Sequence, residues 1–258
     1  MLFKINKEII IILKKTEILS AISMRLVKIT GKNRYPLHPK HLLNETIWYK
    51  KYLRKQDLIL DLGAGSCQAD IKISYKVKKI FCVDIDKNNL YLASETAKKK
   101  NINNIIFLNH NLNKKLPFKN NNFDKIICSD VLEHLNKRDF ALCEIKRVLK
   151  PNGLLFLVTD NPNTSWKKRL KSHDLFFYAD LDHKYEYPIE EIIKKLKDIK
   201  FKIKKVNTVT YDTPLKGVID LIGGISLTYY KKLKNWKSKM VKKNPFETTG
   251  FRIVAEKV

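Results

Sequence analysis

Short apolar runs alternate with amphipathic stretches along most of the chain, and this alternation predicts the fold. Runs rich in Ile, Leu, Phe and Val are separated by segments whose apolar residues recur at helical spacing. The predicted strands are Leu58–Leu62, Lys79–Val83, Asn104–Leu108, Phe123–Cys128, Leu154–Thr159, Phe201–Val209 and Phe251–Glu256. Between them, one predicted helix starts at about Ser66, and three others cover Asn88–Lys99, Lys137–Leu149 and Pro188–Ile199. The pattern therefore predicts an α/β fold, with a seven-stranded, mostly parallel sheet and helices on both faces.

Two flanking segments fall outside this alternation. From Ile9 to Ile29, isoleucines and leucines recur at roughly helical spacing, and a second helix is predicted from His41 to Leu53. Between the sixth and seventh strands, an apolar stretch is followed by a basic run. We therefore expect four segments: an N-terminal helical cap (1–55), the core (56–211), a basic and apolar insert (212–248) and the last strand of the core (249–258).

Charge and cysteine usage narrow the classes of partner. The 52 basic and 26 acidic residues give a net charge of +26, which attracts nucleic acid, anionic lipid or phosphorylated substrates. Only seven of the basic residues are arginine, the residue that makes most bidentate contacts to phosphates and bases, so nucleic acid is the less expected partner. No apolar run is long enough to span a membrane, which favours a cytoplasmic protein, with peripheral contact to a membrane as an addition. Buried free thiols, rather than disulfides or a metal site, are expected of Cys67, Cys82, Cys128 and Cys143.

The run Asp61-Leu62-Gly63-Ala64-Gly65 places a glycine turn at the end of the first predicted strand. Such turns typically bind nucleotides. A dinucleotide site needs a third glycine where Gln68 stands, and the GxxxxGK[ST] phosphate loop is absent. An acidic residue directly before the glycines would repel a phosphate but suits a cationic group. S-adenosylmethionine carries an ammonium and a sulfonium and no phosphate, so the turn favours this cofactor.

Further motifs follow in a definite order. Asp84 ends the second predicted strand, where an acidic residue can accept from ribose hydroxyls. Asn111 and Leu112 follow the third strand, and the runs FDKIICSDVLEHL (123–135) and VLKPNGLLFLVTDNPN (148–163) contain the fourth and fifth. With these motifs, residues 57–160 resemble the class I S-adenosylmethionine-dependent methyltransferases, in particular the type 11 family. The resemblance implies a Rossmann-like sheet and S-adenosyl-L-methionine as cofactor.

The resemblance also implies where the cofactor binds. Asp84 would bind the ribose, and Ile85 would pack on the adenine ring. Asn111 stands where the family usually has an acidic residue, and its amide oxygen can still accept from the adenine amino group. Ser129 and Asp130 would line the methionine end. The expected cofactor-binding residues are Asp61, Gly63, Ala64, Gly65, Asp84, Ile85, Asn111, Leu112, Ser129 and Asp130.

Catalysis of methyl transfer depends mainly on positioning, because the reaction is an in-line displacement. A hydroxyl acceptor would also use a general base. His134, in Asp130-Val131-Leu132-Glu133-His134, is the first candidate, with a structural role at a helix start as the alternative. Asp160 follows the fifth strand and is the second candidate catalytic residue. Further candidates are His38, His41, His173 and His183.

The insert bears on the identity of the acceptor. The [ND]PP[YF] motif of base-modifying enzymes is absent after the fourth strand. Residues 214–227 are apolar and precede a lysine-rich run containing Tyr229, Tyr230 and Trp236, which suits a segment at a membrane surface. The alternative is a helix packed on the sheet edge. We expect methyl transfer to an oxygen of a small-molecule or lipid-linked glycan acceptor; an RNA methyltransferase and a non-enzymatic cofactor-binding module are the alternatives.

Overall fold

The computed structural model describes residues 6–43 and 47–258 and contains a single seven-stranded sheet. The strands are β1 (Leu58–Leu62), β2 (Lys79–Asp84), β3 (Ile105–Asn109), β4 (Phe123–Ser129), β5 (Leu149–Asp160), β6 (Phe201–Thr208) and β7 (Gly250–Lys257). The helices are α1 (Lys7–Lys15), α2 (Ile18–Ile29), α3 (Gln68–Ile73), α4 (Lys87–Lys99), α5 (Arg138–Val148), α6 (Ser165–Ser172), α7 (Ile189–Asp198), α8 (Lys216–Ile225) and α9 (Leu227–Lys243).

The sheet has the strand order β3-β2-β1-β4-β5-β7-β6. β1 pairs in parallel with β2 and β4, β2 with β3, and β4 with β5, whereas β7 runs antiparallel to β5. The order reverses between β1 and β4, and in open α/β sheets ligands bind outside the carboxyl ends of the strands at such a point. The predicted α/β fold class with a mostly parallel sheet is confirmed.

Alternating side chains of the strands bury both faces of the sheet. On one face, Leu60 belongs to a buried cluster that also includes Leu142 of α5 and Leu196 of α7. On the other face, Ile59 belongs to a second cluster that includes Ile73 of α3 and Leu90 of α4. Neighbouring residues of a strand point to opposite faces of the sheet. Because both faces are buried, successive residues are apolar, which accounts for the nearly continuous apolar runs in the sequence.

The described chain divides into two compact units. The sheet unit comprises Ile47–Asn161, Ala179–Asn207 and Gly250–Val258, and the helical unit comprises the described residues 6–43, Pro162–Tyr178 and Thr208–Thr249. The helical unit thus combines parts of the expected cap and insert, whereas residues 47–55 lie in the sheet unit.

Two glycines allow a close approach within the helical unit. A Cβ at Gly217 would lie 1.9 Å from the carbonyl oxygen of Thr16, and one at Gly224 would lie 2.8 Å from the carbonyl oxygen of Ser23. The apolar stretch of the insert therefore packs on α2. The sequence leaves a packed helix as the alternative to a surface segment, and the structure shows a packed helix whose partner within the helical unit is α2.

The single helix predicted from Ile9 to Ile29 is interrupted. α1 and α2 are separated at Thr16, whose hydroxyl donates to the carbonyl oxygen of Leu13 at 2.6 Å. The helix predicted from His41 to Leu53 is wrong where the chain is described, because its ends are 3-10 turns at Pro39–Leu42 and Lys50–Tyr52. The part of that prediction at residues 44–46 lies outside the described residues.

Two further differences concern β5 and the segment after it. β5 begins at Leu149, so the run Pro151-Asn152-Gly153 that was expected to precede it lies within the strand, with Asn152 at φ 60°. The segment after β5, for which no helix was predicted, contains α6, whose first turn is capped by the Thr164 hydroxyl accepting from the Lys167 amide at 3.2 Å.

The four cysteines are free thiols, and three of them are buried as predicted. Cys143 on α5 is exposed, so the prediction is wrong for that residue. Within residues 6–43 and 47–258, no helix combines the length and the apolar character needed to cross a bilayer.

Candidate cofactor and active site

The glycine turn after β1 has left-handed backbone angles at two glycines. Gly63 has φ 68° and Gly65 has φ 52°, a region that side chains other than glycine rarely adopt. The amides of Gly63 and Ala64 donate to the carbonyl oxygen of Val83 at 2.8 and 3.1 Å. A Cβ at Gly63 would lie 2.4 Å from a methyl group of Val131. The turn is therefore held against the ends of β2 and β4.

Asp84 at the end of β2 fixes this turn from the other side. Its Oδ2 accepts from the Gly65 amide at 2.7 Å, and its Oδ1 accepts from the Asp86 amide at 2.8 Å. A carboxylate has about four acceptor positions, so each oxygen can accept one more hydrogen bond. The next residue, Ile85, is 68% exposed, which is the exposure expected of an apolar side chain that packs on a ligand ring.

Asn111 has a different environment from the one expected. Its Oδ1 accepts from the backbone amide of Asn113 at 2.9 Å and from the Asn113 side chain at 3.1 Å. These two bonds use both lone pairs of the amide oxygen. The following residue, Leu112, packs against the buried core. In this arrangement Asn111 shapes the loop after β3, and an adenine amino group would have to compete with Asn113 for its oxygen.

Asp61 lies buried beneath the glycine turn and has a second carboxyl beside it. Asp70 of α3 is fully buried, and no hydrogen bond reaches either of its carboxylate oxygens. Burial and the negative charge of Asp70 raise the pKa of Asp61 well above its usual range. A cation bound near the turn would favour the ionised form of Asp61. Sequence reasoning missed Asp70, although an acidic residue on the apolar face of a short helix was a visible signal.

The segment after β4 brings the methionine-end candidates to the same edge of the sheet. Ser129 is the last residue of β4 and lies in register with Val158 of β5. Asp130 has φ 56° and is exposed, and its amide donates to the carbonyl oxygen of Val158 at 3.2 Å. A single 3-10 turn, Leu132–His134, follows directly.

His134, the first catalytic candidate, is exposed at the end of that turn. Its ring centroid lies 4.6 Å from that of His183, with the rings nearly perpendicular. Asp160, the second candidate, is the last residue of β5, and its Oδ2 lies 3.7 Å from Nδ1 of His183. The structure therefore brings both predicted catalytic residues next to His183.

Glu133 is a member of this group that sequence reasoning did not select. Its side chain is fully buried, and neither carboxylate oxygen has a hydrogen-bond partner. Burial and the negative charges of Asp130 and Asp160 raise its pKa to about 8. Burial lowers the pKa of His183, but the hydrogen bond to Glu186 and the charges of Asp160 and Glu133 outweigh it, so the net shift is upward.

The other histidine candidates lie in the helical unit. Nε2 of His38 lies 3.1 Å from Oδ2 of Asp220, a buried residue of α8. His173 follows the last turn of α6, and its amide donates to the carbonyl oxygen of Leu170. His41 lies in the 3-10 turn Pro39–Leu42.

Comparisons with known proteins agree with this geometry. The family described as a methyltransferase domain matches residues 60–157. The uncharacterized methyltransferase YcgJ of Bacillus subtilis is 32% identical over 105 residues, which cover 41% of this chain and 41% of that protein. The ubiquinone biosynthesis O-methyltransferase of Rickettsia akari is 27% identical over 215 residues, covering 79% of this chain and 82% of that protein. The crystal structure of a SAM-dependent methyltransferase from Methanosarcina mazei has a TM-score of 0.59 at 21% identity, covering 84% of this chain and 99% of that one.

The fold, the glycine turn and the matched domain are those of class I S-adenosylmethionine-dependent methyltransferases. Within that class, residues 60–157 match the methyltransferase-domain family, and S-adenosylmethionine is the cofactor that this match and the similar structures indicate. The chain spans about two fifths of the length of YcgJ in that alignment.

The residues at the carboxyl edge of the sheet fit this cofactor. The glycine turn offers backbone that a ligand can approach, Asp84 keeps free acceptor positions, and Ile85 presents an exposed apolar side chain. When bound, S-adenosylmethionine supplies an electrophilic methyl group. Asp84 would hold the ribose end, and the residues after β4 would line the other end.

Proposed function

We propose that the protein transfers a methyl group to an oxygen atom of a small-molecule or lipid-linked glycan acceptor. The new bond joins the methyl carbon to the acceptor oxygen, the carbon–sulfur bond breaks with its electron pair left on sulfur, and the hydroxyl proton is released. The observation that carries the proposal is the group of titratable side chains after β4 and β5, where a proton can be taken up. The name of the Rickettsia akari relative, an O-methyltransferase, supports oxygen as the acceptor atom.

His134 is the residue that we assign to proton transfer. It is exposed, so an acceptor can reach it, and its ring contacts that of His183. Nδ1 of His183 is hydrogen-bonded to Oε1 of Glu186 at 2.9 Å and lies 3.7 Å from Oδ2 of Asp160. General base catalysis contributes about 10²–10⁴-fold to a rate, so loss of His134 should reduce kcat within this range.

The test combines an acceptor screen with a histidine substitution. The purified protein is incubated with cofactor carrying a labelled methyl group and with panels of phenols, quinols, sugars and lipid-linked glycans, and total RNA is a separate arm. We expect label in an organic acceptor, with His134→Asn reducing kcat about 100-fold and leaving S-adenosylhomocysteine affinity unchanged. His173→Asn, a histidine of the helical unit, is the matched control. Transfer to RNA alone would replace this proposal with the RNA methyltransferase alternative, and binding without any transfer would favour a cofactor-binding module.

A second proposal concerns the surface of the helical unit. α1 and α2 carry five exposed isoleucines, which are Ile9, Ile12, Ile18, Ile22 and Ile29. α9 adds exposed lysines together with exposed Tyr229 and Trp236. Apolar side chains beside lysines suit an anionic membrane surface. We propose peripheral contact with such a surface through α1, α2 and α9, rather than through the apolar stretch of α8, which packs on α2.

Sedimentation with vesicles tests this proposal. We expect the protein to bind vesicles containing phosphatidylserine and to be released as salt rises, because lysines near an anionic surface act over a Debye length. The double substitution Ile18→Ser and Ile22→Ser should weaken binding. Leu92→Ser is the matched control, since Leu92 is an exposed apolar residue of α4 in the sheet unit. Equal binding by the double variant and the control would refute the proposal.

A further inference from the structure

Three side chains of the sheet unit converge at the carboxyl ends of β4 and β5. They are Glu133 in the turn after β4, Asp160 at the end of β5 and His183 in the segment before α7. One carboxylate oxygen from each acid and one ring nitrogen of the histidine all lie within 4.8 Å of one another. Glu133 and His183 are buried, and Asp160 is half-buried.

Glu133 is the feature that an ordinary ion-pair network does not explain. Its side chain is fully buried, yet neither of its carboxylate oxygens accepts a hydrogen bond. Its position is nevertheless fixed, because the amides of Lys184 and Tyr185 donate to its backbone carbonyl oxygen at 2.7 and 3.3 Å. A buried carboxylate without a partner is costly, and it is normally matched by a cation or a hydrogen-bond donor.

The side chains around His183 are mostly acidic, which suits a cation. Glu186, which is buried, places its Oε1 2.9 Å from Nδ1 of His183, so three carboxylates surround one imidazole. A divalent cation in this cluster would favour the ionised form of Glu133, whose carboxylate oxygens accept no hydrogen bond.

We propose that Glu133, Asp160 and His183 bind a divalent cation of the Mn²⁺ or Mg²⁺ type. Two carboxylate oxygens and one imidazole nitrogen suit such ions, and three protein ligands leave coordination positions open for water or an acceptor oxygen. In this position the cation would hold the acceptor's hydroxyl beside the cofactor. This role rests on the proposed function. No metal ligand was predicted from the sequence, so this site is an addition to the sequence-based predictions.

Glu186 is a positioning residue in this proposal. Its Oε1 also accepts from the Ala179 amide at 2.6 Å, so its orientation is fixed by the backbone. A carboxylate bound to one ring nitrogen of a metal-binding histidine sets the tautomer and the orientation of the ring, and loss of such a partner reduces metal affinity about 10–100-fold.

The test measures Mn²⁺ binding directly, by electron paramagnetic resonance of the free ion, on the full chain without substrate. The variants are Glu133→Gln, Asp160→Asn and Glu186→Gln, and the control is Glu95→Gln, which removes an exposed carboxylate that pairs with Lys98. We expect a single Mn²⁺ bound per chain, competition by Mg²⁺, and at least about 10-fold weaker binding in all three variants but not in the control.

Thermal unfolding provides a second measurement that does not depend on activity. Mn²⁺ should raise the Tm of the wild type, because a ligand that binds only the folded state stabilises it, and it should raise that of Glu133→Gln much less. In EDTA, Glu133→Gln should be at least as stable as the wild type, since it removes an unpartnered buried carboxylate. This comparison distinguishes a lost ligand from a misfolded variant.

Two outcomes would overturn the inference: no specific Mn²⁺ binding by the wild type, or equal binding by Glu133→Gln and the wild type. Metal binding without methyl transfer to any acceptor would remove the proposed function and leave the cation site. Methyl transfer that proceeds equally well in EDTA would remove the cation's role in holding the acceptor and leave the proposed function.

Discussion

Replacement of Asp84 by alanine tests the predicted ribose site most directly. The Asp84 carboxylate accepts from the amides of Gly65 and Asp86 and keeps one acceptor position on each oxygen. If both ribose hydroxyls donate to these positions, the variant loses two hydrogen bonds to a charged group, each worth about 1.5–3 kcal/mol. The sum of about 3–6 kcal/mol corresponds to a loss of about 10²–10⁴-fold in affinity.

Isothermal titration with S-adenosylhomocysteine measures this loss, and Asn111→Ala is the comparison. The Asn111 oxygen already accepts two bonds from Asn113, so its loss should weaken binding by only about 1 kcal/mol, or roughly fivefold. Asp84→Asn, which keeps one acceptor oxygen, should lie between the two alanine variants. Circular dichroism would show whether Asp84→Ala folds. If it does not, Asp84→Asn replaces it in the comparison with Asn111→Ala. Equal losses for Asp84→Ala and Asn111→Ala, in folded proteins, would refute the placement of the ribose.

Two further predictions concern stability. Gly63→Ala should destabilise the sheet unit by about 1–3 kcal/mol in urea unfolding, because its Cβ would meet Val131 at 2.4 Å and its φ is left-handed; an unchanged midpoint would contradict this. Burial opposes ionisation of Asp220, but hydrogen bonds and positive charges from His38, Lys216 and Ser20 outweigh it and hold the pKa of Asp220 well below its usual range. Asp220→Asn should therefore cost roughly 3 kcal/mol near neutral pH. The difference in stability between the variant and the wild type should shrink as pH falls below about 4. A carboxyl group whose pKa is lowered in the folded state contributes its full stabilisation only above the pKa that it has in the unfolded state. A difference that grows in acid would refute the assignment.

The core of the sheet could be predicted from the sequence because short buried strands have a strong local signal. Apart from β5, each strand lies within one residue of its predicted ends. β5 was shortened in the prediction because Pro151 and Gly153 normally interrupt regular structure. In the structure, the β4–β5 pair shifts register between Phe123 and Lys125, and the strand continues through these residues.

The candidate site was predictable only where it follows a strand. Asp84, the glycine turn and Asp160 are placed by strand ends, which the hydrophobic pattern marks. The position of His183 depends instead on non-local bonds, because the amides of Lys184 and Tyr185 attach an irregular segment to the backbone of Glu133. No local pattern encodes such a contact, so His183 was one histidine among several candidates. The burial of Glu133 depends on the same contact.

The order of segments in the two units has a consequence for synthesis of the chain. α2 packs against α8, which follows it by almost 200 residues, and β7 lies between β5 and β6 although it is the last strand. At about 5–20 residues per second, α2 leaves the ribosome roughly 10–40 s before α8. During that interval the side of α2 that packs on α8 in the folded protein lacks this partner. The N-terminal helices therefore expose apolar surface until α8 is synthesised, and neither unit can be obtained by a simple truncation.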